Sequence, residues 1–384
     1  MHERIYLDNA ATSWPKPAVV LDALTSFYRD QGGAAGRGVH SASHQSDGIV
    51  TACRNGLREL VQAQVDDQIV FAHNGTDALN LAIHGYVRQG DHVVVTSLEH
   101  NSVLRPVAFD AERKNGRYTL VSAEENGFVS PQAIEQAIRP DTRLVCVTHA
   151  SNVTGAIQPL EEIGQVCRKA GVSLLVDAAQ TAGRLPIDVR RIQCDLLAAA
   201  GHKGLMGPLG TAFLFVSSRV TQEMVPLRQG GTGTETTAEQ QPATYPHRLE
   251  AGNLNVGGLG ALLAGLRYVQ TVGVEAIGRH EGELLELFLS EIDSCPGVTV
   301  FQRNCPNRVG IASLTFADHD VHDAAVILDS AYGIQVRAGL HCSPHALSGG
   351  PRAESIPTLR VSPGWQTTPE QIKKAAAAIR EIAS

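Results

Sequence analysis

The chain has 384 residues, long enough for two ordinary domains with substantial cores, which excludes a miniprotein. Hydrophobic residues make up 43% and charged residues 18%, against about 25% charged residues in an average globular protein, which excludes a disordered chain. The 32 lysines and arginines against 39 aspartates and glutamates give a net charge of −7, which predicts no broad basic surface for nucleic acid or anionic lipid and favours a small metabolite as ligand.

The first eight residues lack the basic segment and long apolar run of a signal peptide, and no later stretch has about 18 uninterrupted apolar residues. We therefore expect a cytoplasmic protein with no membrane partner. The seven cysteines are scattered, odd in number and never form Cys-x-x-Cys. This pattern predicts reduced thiols rather than disulfides or a zinc cluster, and no metal site is expected.

Short apolar runs alternate with helical patterns from about Val65 to Val216. The runs are continuous rather than alternating, which indicates strands buried on both faces, as in a parallel sheet covered by helices. The predicted strands are 68–71, 92–95, 144–147, 172–176, 196–198 and 213–216, with a helix-like segment at 78–83. These elements predict an α/β architecture.

The character of the chain changes from Arg219 to Asn255, where Gly, Thr and Pro are frequent and a long irregular segment is expected. A helix is predicted from Leu259 to Val272. Strands are predicted near 310–316, 334–337 and 358–361, between further helical patterns. This part of the sequence predicts a second, smaller α+β domain.

Polar residues that directly follow the apolar runs are the candidates for chemistry, because ligands of open α/β sheets bind beyond the carboxyl ends of the strands. After the first run, His73–Asp77 opens a helix whose free N–H groups could hold a phosphate. Glu99–Asn101 and His149–Asn152 follow later runs. Taken alone, each of these segments is more commonly structural, since Thr and Asp are frequent helix caps.

Asp177 ends one predicted strand, and Lys203 follows the next. A buried carboxylate needs a cation or several donors, and a lysine in a pocket of low dielectric can be catalytic, whereas most loop lysines are simply exposed. A phosphate cradle, an imidazole, a carboxylate and a lysine at successive strand ends describe a pyridoxal phosphate (PLP) site.

With these residues assembled, the sequence resembles the class V aminotransferase family of fold-type I PLP enzymes, and within it the cysteine desulfurase and selenocysteine lyase branch. The similarity covers nearly the whole chain in family order. The matching segments are Tyr6–Ser13, Asn74–Asn80, Glu99–Asn101, Ser151–Gly155, Val176–Gln180, Gly201–Lys203, Glu250–Gly252 and Val336–Cys342.

The resemblance implies that Lys203 forms the Schiff base with PLP, that Asp177 pairs with the ring nitrogen, and that His100 stacks on the ring and serves as an acid or base. Gln180 is expected to contact the ring hydroxyl. The phosphate-binding residues implied are Gly75, Thr76 and His202, and those implied near the substrate carboxylate are Asn152, which also lies near the cofactor, Arg337 and Arg360.

Cys342 aligns with the nucleophilic cysteine of the family, in the short-loop form of the Suf-type enzymes. The resemblance therefore implies that L-cysteine is converted to L-alanine and that a persulfide on Cys342 passes to an acceptor protein. The alternative that His341, Cys342 and His345 bind a metal has poor ligand spacing.

Two positions depart from the family pattern. Ala200 stands where a hydroxyl that contacts the phosphate is usual, and its loss would cost roughly 0.5–1.5 kcal/mol, or about tenfold in cofactor affinity. Asn253 stands where a threonine usually reaches the phosphate of the partner subunit, and an asparagine can still donate a hydrogen bond.

The fold implied is a fold-type I PLP transferase. Its large domain, 18–258, would contain a mostly parallel seven-stranded sheet flanked by helices, and residues 1–17 and 259–384 would form a small α+β domain carrying the Cys342 loop. The Gly-rich segment Gly230–Thr234 resembles the family's loop near the subunit interface, which implies a homodimer.

Three alternative functions remain open at this level. Selenocysteine lyase activity on L-selenocysteine would not require Cys342. A PLP transaminase or epimerase would need Lys203 and Asp177 but no thiol. A non-enzymatic sulfur-carrier scaffold that has lost cofactor binding is suggested by Ala200.

Overall fold

The computed structural model describes residues 4–347 and 354–384. Its strands are β1 (Ile5–Tyr6), β2 (Gln68–Ala72), β3 (His92–Thr96), β4 (Arg117–Val121), β5 (Thr142–Thr148), β6 (Ser173–Asp177), β7 (Leu196–Ala200), β8 (Ala212–Val216), β9 (Val298–Val300), β10 (Ala312–Phe316), β11 (Ile334–Gln335), β12 (Arg337–Gly339) and β13 (Thr358–Val361). Its helices are α1 (Ala18–Ser26), α2 (Ser41–Leu60), α3 (Gly75–Tyr86), α4 (Asn101–Arg113), α5 (Pro131–Ala137), α6 (Leu160–Ala170), α7 (Val189–Ile192), α8 (Val256–Val272), α9 (Val274–Ile292), α10 (Val321–Tyr332) and α11 (Pro369–Ala383). A short π-helix, Phe27–Gln31, continues α1. No helix of the described ranges is long and apolar enough to cross a membrane.

The central sheet has seven strands in the order β2-β8-β7-β6-β5-β3-β4. Only β8 runs against its neighbours; the other strands share one direction. The predicted α/β fold with a mostly parallel sheet of seven strands is therefore confirmed. The edge strand β4 is missing from the sequence prediction, because Arg117 and Tyr118 are exposed and the strand has no continuous apolar run.

The continuous apolar runs are explained by burial on both faces of this sheet. In β5, Val145 and Val147 contribute to one core, and Leu144 and Cys146 contribute to the core on the opposite face. All four side chains are fully buried. Burying a side chain of this size contributes about 1.5–3 kcal/mol to the free energy of unfolding. Side chains on both faces therefore stabilise the sheet.

A separate core forms around a four-stranded antiparallel sheet, β12-β13-β10-β9, with α9, α10 and α11 packed on it. Ile5 and Leu7, from the start of the chain, are buried in the same core. The strand predicted at 334–337 is wrong as a single element. Residues 334–335 pair with β1 in a parallel ladder and residues 337–339 pair with β13 in another sheet, so the chain changes partners at Val336.

The segment from Arg219 to Asn255 is irregular, as predicted, with one turn of 3-10 helix at Thr221–Glu223. The helix predicted at 259–272 begins three residues earlier, at Val256, where Asn255 caps it. Leu259, Leu262 and Leu266 of α8 pack into a core of the central sheet. The domain boundaries stay a prediction, and residues 1–3 and 348–353 of the predicted small domain lie outside the described ranges.

Candidate active site

A cavity of about 220 Å³ lies at the carboxyl ends of β5, β6 and β7. Thr148 and Asp177, which end β5 and β6, are paired in register, and Ala200 ends the next strand. The parallel ladder therefore brings these strand ends to one edge of the sheet. The predicted site residues that line the cavity are Gly75, Thr76, His100, Asn152, Asp177, Gln180, His202, Lys203, Arg337 and Arg360.

Two predicted site residues do not line this cavity. Asn253 lies in a separate recess of about 30 Å³ with Glu250 and Arg228, so its proposed contact with a partner subunit stays a prediction. Cys342 lies just outside the lining and contacts it through Arg337. His149, from one of the strand-end motifs, faces a different cavity of about 880 Å³ that contains none of the predicted site residues.

The open end of the cavity is formed by the start of α3. Asn74 caps this helix by accepting a hydrogen bond from the backbone N–H of Asp77, at 2.9 Å, through its Oδ1. The N–H groups of Gly75 and Thr76, in the first turn, have no acceptor within the helix. Together with the positive end of the helix dipole they suit an anion such as a phosphate.

Asp177 and Lys203 lie in the interior of the cavity. Asp177 is buried and accepts a hydrogen bond from the N–H of Ala179 at 2.9 Å, and burial raises the pKa of its carboxyl. No lysine or arginine of the described ranges forms an ion pair with it. Burial lowers the pKa of Lys203 to about 8, and the nearby arginines lower it further while Asp177 opposes the shift. About a tenth of Lys203 is therefore neutral and nucleophilic at pH 7, far more than of an ordinary lysine.

His100 caps α4, and its Nδ1 accepts a hydrogen bond from the N–H of Ser102 at 3.0 Å. Burial, followed by the positive charge of Lys203, lowers the pKa of His100 to about 4. The ring is thus neutral at pH 7, which differs from the near-neutral pKa expected from the residue type. A neutral imidazole with Nδ1 occupied as acceptor carries its proton on Nε2.

Gln180 is held by a buried ion pair that the sequence analysis did not identify. Its Nε2 donates to the carbonyl of Ala10 at 3.0 Å, and its Oε1 accepts from Nη1 of Arg184 at 3.1 Å. Arg184 in turn lies 2.8 Å from the carboxylate of Glu281, and both residues are buried. The pair fixes the orientation of the Gln180 amide.

Arg360 is 1% exposed and joins the two ends of the chain. Its Nη2 donates to Asp8 Oδ1 at 2.7 Å and its Nη1 donates to the carbonyl of Asn152 at 3.0 Å. Its Nε is buried without a hydrogen-bond partner in the described ranges. A ligand carboxylate in the cavity would satisfy this donor, because an unpaired buried donor is costly.

The loop that carries Cys342 is fastened to Asn152. The amide of Asn152 donates to the carbonyl of His341 at 2.7 Å and accepts from Ser343 Oγ at 2.6 Å. His341 and Cys342 both have positive φ, 52° and 61°, a conformation that costs side-chain-bearing residues free energy unless other contacts enforce it. The Asn152 amide therefore contacts the backbone of His341 and the side chain of Ser343, the residues on either side of Cys342.

Two further contacts fix Cys342. Its carbonyl accepts a hydrogen bond from the N–H of Asn101 at 2.7 Å, which places it beside His100. Arg337 Nη2 donates to its Sγ at 3.5 Å. His341, which is 3% exposed, interacts through Nε2 with Thr358 Oγ1 at 2.9 Å, and burial lowers its pKa to about 3. The thiol is thus positioned at the edge of the cavity by neutral and cationic groups.

Several functional contacts were missed by reasoning from the sequence. The sequence analysis assigns no role to Asp8, although it lies within a matching motif, or to Ser343, which follows Cys342 in a loop without periodicity. It also assigns none to Ser102, although the missing hydroxyl at Ala200 is a signal for another hydroxyl near the phosphate. No local signal indicates the Arg184–Glu281 pair, which joins residues 97 positions apart.

The residues present fit PLP. The start of α3 can hold its phosphate, Asp177 is a buried carboxylate without an ion-pair partner in the described ranges, and Lys203 has a nucleophilic amine. A protonated ring nitrogen beside Asp177 would supply the cation that the carboxylate lacks. The members of the class V aminotransferase family are PLP-dependent enzymes.

Comparison with known proteins agrees with this geometry. The family model described as aminotransferase class-V matches residues 5–374. The chain is 35% identical to a probable cysteine desulfurase of Methanothermobacter thermautotrophicus, covering 100% of this chain and 96% of that protein, and 31% identical to a cysteine desulfurase of Shigella flexneri, covering 98% and 93%. The solved apo structure of a cysteine desulfurase from Thermococcus onnurineus superposes with a TM-score of 0.91 at 30% identity, covering 99% of this chain and 94% of the other.

Proposed function

Because the chain belongs to the class V aminotransferase family, we propose that it is a PLP-dependent cysteine desulfurase in which Cys342 removes sulfur from L-cysteine. The observation that carries this proposal is the contact between Cys342 and Arg337. Arg337 lines the cavity that holds Lys203 and Asp177, and its guanidinium contacts the thiol at 3.5 Å. A nucleophilic sulfur is thereby held at the edge of the site that would bind the substrate.

PLP supplies an electron sink that makes the α-proton of an amino acid acidic. Lys203, neutral in part because its pKa is about 8, would bind the aldehyde group of the cofactor and would then accept the α-proton of the substrate. Asp177 would pair with the ring nitrogen and keep it protonated. His100 would pack against the ring, and as a neutral imidazole it would donate a hydrogen bond from Nε2.

The substrate is oriented by its carboxylate. Arg360 and Arg337 both line the cavity, and the Nε of Arg360 has no hydrogen-bond partner in the described ranges. Two guanidinium groups suit a carboxylate because their planar donors match its two oxygens. This arrangement directs the side chain of the bound amino acid toward Cys342.

Sulfur transfer then forms one bond and breaks another. Cys342 Sγ attacks the sulfur of the substrate, an S–S bond forms, and the bond from that sulfur to the substrate's β-carbon breaks. The electron pair of the broken bond remains with carbon, which is protonated to give alanine, so no external oxidant is needed. The persulfide left on Cys342 is cleared by a thiol of an acceptor protein.

A homodimer is also proposed. Apolar side chains are exposed at Tyr28 and Leu227, and Val39 is 96% exposed. Arg37, two residues from Val39, donates to the carbonyl of Gly231, so these loops lie together. A second copy of the chain would cover them. The N–H of Gly252, next to Asn253, donates to the carbonyl of Gly231 at 2.8 Å, so Asn253 lies near the same Gly-rich segment. A cytoplasmic location accords with seven cysteines that are all free in the structure.

The test measures alanine and sulfide released from L-cysteine with a thiol reductant, for the native protein, C342A and C295A. Cys295 is the matched control, because it is the other cysteine that is not fully buried. Equimolar alanine and sulfide, lost in C342A and kept in C295A, are expected. Turnover of L-cysteine by C342A at the native rate, or turnover of L-selenocysteine but not L-cysteine by the native protein, would contradict the proposal.

A further inference from the structure

The hydroxyl of Ser102 lies beside that of Thr76 at the open end of the cavity. The two oxygens are 2.7 Å apart, and both residues line the cavity. Thr76 is in the first turn of α3 and Ser102 is in the first turn of α4. Two helix N-termini, each with N–H groups that lack intrahelical acceptors, therefore converge at this point.

Ser102 is buried, whereas Thr76 is exposed at the mouth of the cavity. The oxygen of a buried hydroxyl that lines a cavity has a fixed position, because its side chain has little freedom to turn away, and only its hydrogen rotates. Deeper in the same cavity, Arg360 has a buried Nε without a partner in the described ranges. The cavity thus has donors at both ends, an arrangement that suits a ligand with acceptor oxygens.

The Ser102 hydroxyl has three possible acceptors for its hydrogen, which are His100 Nδ1 at 2.8 Å, Thr76 Oγ1 at 2.7 Å and an acceptor oxygen of a ligand in the cavity. The N–H of Ser102 donates to His100 Nδ1 at 3.0 Å, so that nitrogen carries no proton. The Ser102 Oγ, 2.8 Å from the same Nδ1, therefore does not accept a hydrogen bond from it. Oγ can donate to His100 Nδ1 or to Thr76 Oγ1, or accept from Thr76, and a hydroxyl rotates readily from such partners to a ligand oxygen.

Ala200, next to Gly75, provides no hydroxyl. Ala200 ends β7, and its methyl carbon lies 3.5 Å from the position that a Cβ on Gly75 would occupy. Ala200 is part of the cavity lining, so this side of the cradle is apolar. Among the described residues that line the cavity, Thr76 and Ser102 present hydroxyls at the start of α3 and α4, and Thr148 is at the end of β5.

We propose that Ser102 binds the phosphate of PLP through its hydroxyl, together with Thr76, and supplies from α4 the donor that Ala200 does not provide from β7. This role of Ser102 rests on the proposed function only because that function identifies the cofactor as PLP. The same residue also determines the tautomer of His100, through the hydrogen bond from its N–H to Nδ1.

The experiment titrates the cofactor-free protein with PLP and, separately, with pyridoxal, which has the same ring and aldehyde but no phosphate. The variants are S102A, with T76A as a benchmark for a hydroxyl at the same position and S330A as a control. Ser330 is an exposed serine on α10, away from the cavity. Dissociation constants are read from the visible absorption of the bound cofactor.

S102A is expected to weaken PLP binding by about tenfold or more, the effect of losing one hydrogen bond to a charged group, while pyridoxal binding changes less than about twofold. Equal weakening for both ligands, or no change for either, would overturn the proposal. If S102A does not fold, S102C gives the same comparison, because it keeps the side chain's size but is a weak donor.

The readout separates this inference from the proposed function. Cofactor binding does not require turnover of cysteine, so phosphate-specific weakening in S102A would stand even if the native protein released no sulfide. Conversely, unchanged PLP affinity in S102A alongside normal desulfurase activity would reject the role of Ser102 and leave the function intact.

Discussion

The guanidinium of Arg337 donates from Nη2 to the Sγ of Cys342 across 3.5 Å. One residue thus connects the thiol to the cavity where the cofactor and substrate would bind, because Arg337 also lines that cavity. Arg337 precedes Cys342 by five residues, and the intervening turn brings the two side chains together.

Replacing Arg337 tests both parts of this relationship. R337A is expected to lower kcat/KM for L-cysteine by about 10- to 100-fold, with a higher KM, because the substrate carboxylate loses a charged donor. Steady-state kinetics of alanine formation measure the effect. R279A, which removes an exposed arginine of α9, is the control and should retain native kinetics. A native KM in R337A would contradict the carboxylate role.

The persulfide should form on Cys342 and on no other cysteine. A stoichiometric amount of L-cysteine without reductant is expected to leave one additional sulfur atom on the peptide containing Cys342, as detected by mass spectrometry after alkylation. Five of the other six cysteines are buried, and Cys295 is only partly exposed and lies outside the cavity. Persulfide on Cys295 in place of Cys342 would refute the assignment of the nucleophile.

D177N should separate cofactor binding from turnover. Asparagine keeps the size of the side chain but cannot hold a proton on the ring nitrogen, so we expect PLP to remain bound and turnover to fall by about a hundredfold or more. K203A is the contrasting variant and should lose the visible absorption band that borohydride removes from the native protein. Native turnover in D177N would show that the carboxylate has another purpose.

Glu99 predicts a specific dependence of stability on pH. Its carboxyl is completely buried, accepts hydrogen bonds from Thr96 Oγ1 at 2.6 Å and the N–H of Thr148 at 2.8 Å, and has a pKa raised by burial to about 8. Between about pH 4.5, where the unfolded group loses its proton, and about pH 8, the folded state binds more protons than the unfolded state. The free energy of unfolding therefore falls as pH rises through this range.

E99Q removes this titration while keeping an acceptor oxygen for both hydrogen bonds. The stability of E99Q relative to the native protein should thus increase from pH 5 to pH 8, as measured by urea unfolding. E125Q changes an exposed glutamate and should show a constant difference. A difference for E99Q that is independent of pH would mean that Glu99 titrates alike in the folded and unfolded chains.

Removing one partner of the buried Arg184–Glu281 pair should destabilise the protein. R184M leaves the carboxylate of Glu281 buried without its cation and is expected to cost about 3–5 kcal/mol. Adding E281Q in the R184M background removes the unpaired charge and should restore part of the loss. Urea unfolding of both variants measures the effect, and additive losses in the double variant would contradict the coupling.

Elements with a local signal in the sequence were predictable from it. Continuous apolar runs predict six of the seven strands of the central sheet, because strands buried on both faces have no alternation of polar and apolar residues. They do not predict β4, whose exposed residues interrupt the apolar run. Residues directly after strands, Asp177 and Lys203 among them, were assigned to one site because parallel strands end at one edge.

Contacts between residues far apart in the sequence depend on how the elements pack against one another. Asp8 and Arg360 are 352 positions apart and Asn152 and Ser343 are 191 apart, yet each pair is hydrogen-bonded. Ser102 was paired with Thr76 by the packing of α4 beside α3, and the strand expected at 334–337 was divided because the chain changes partners at Val336. Periodicity reports how a residue lies within its own element, while such contacts depend on how the elements pack, which no local pattern encodes.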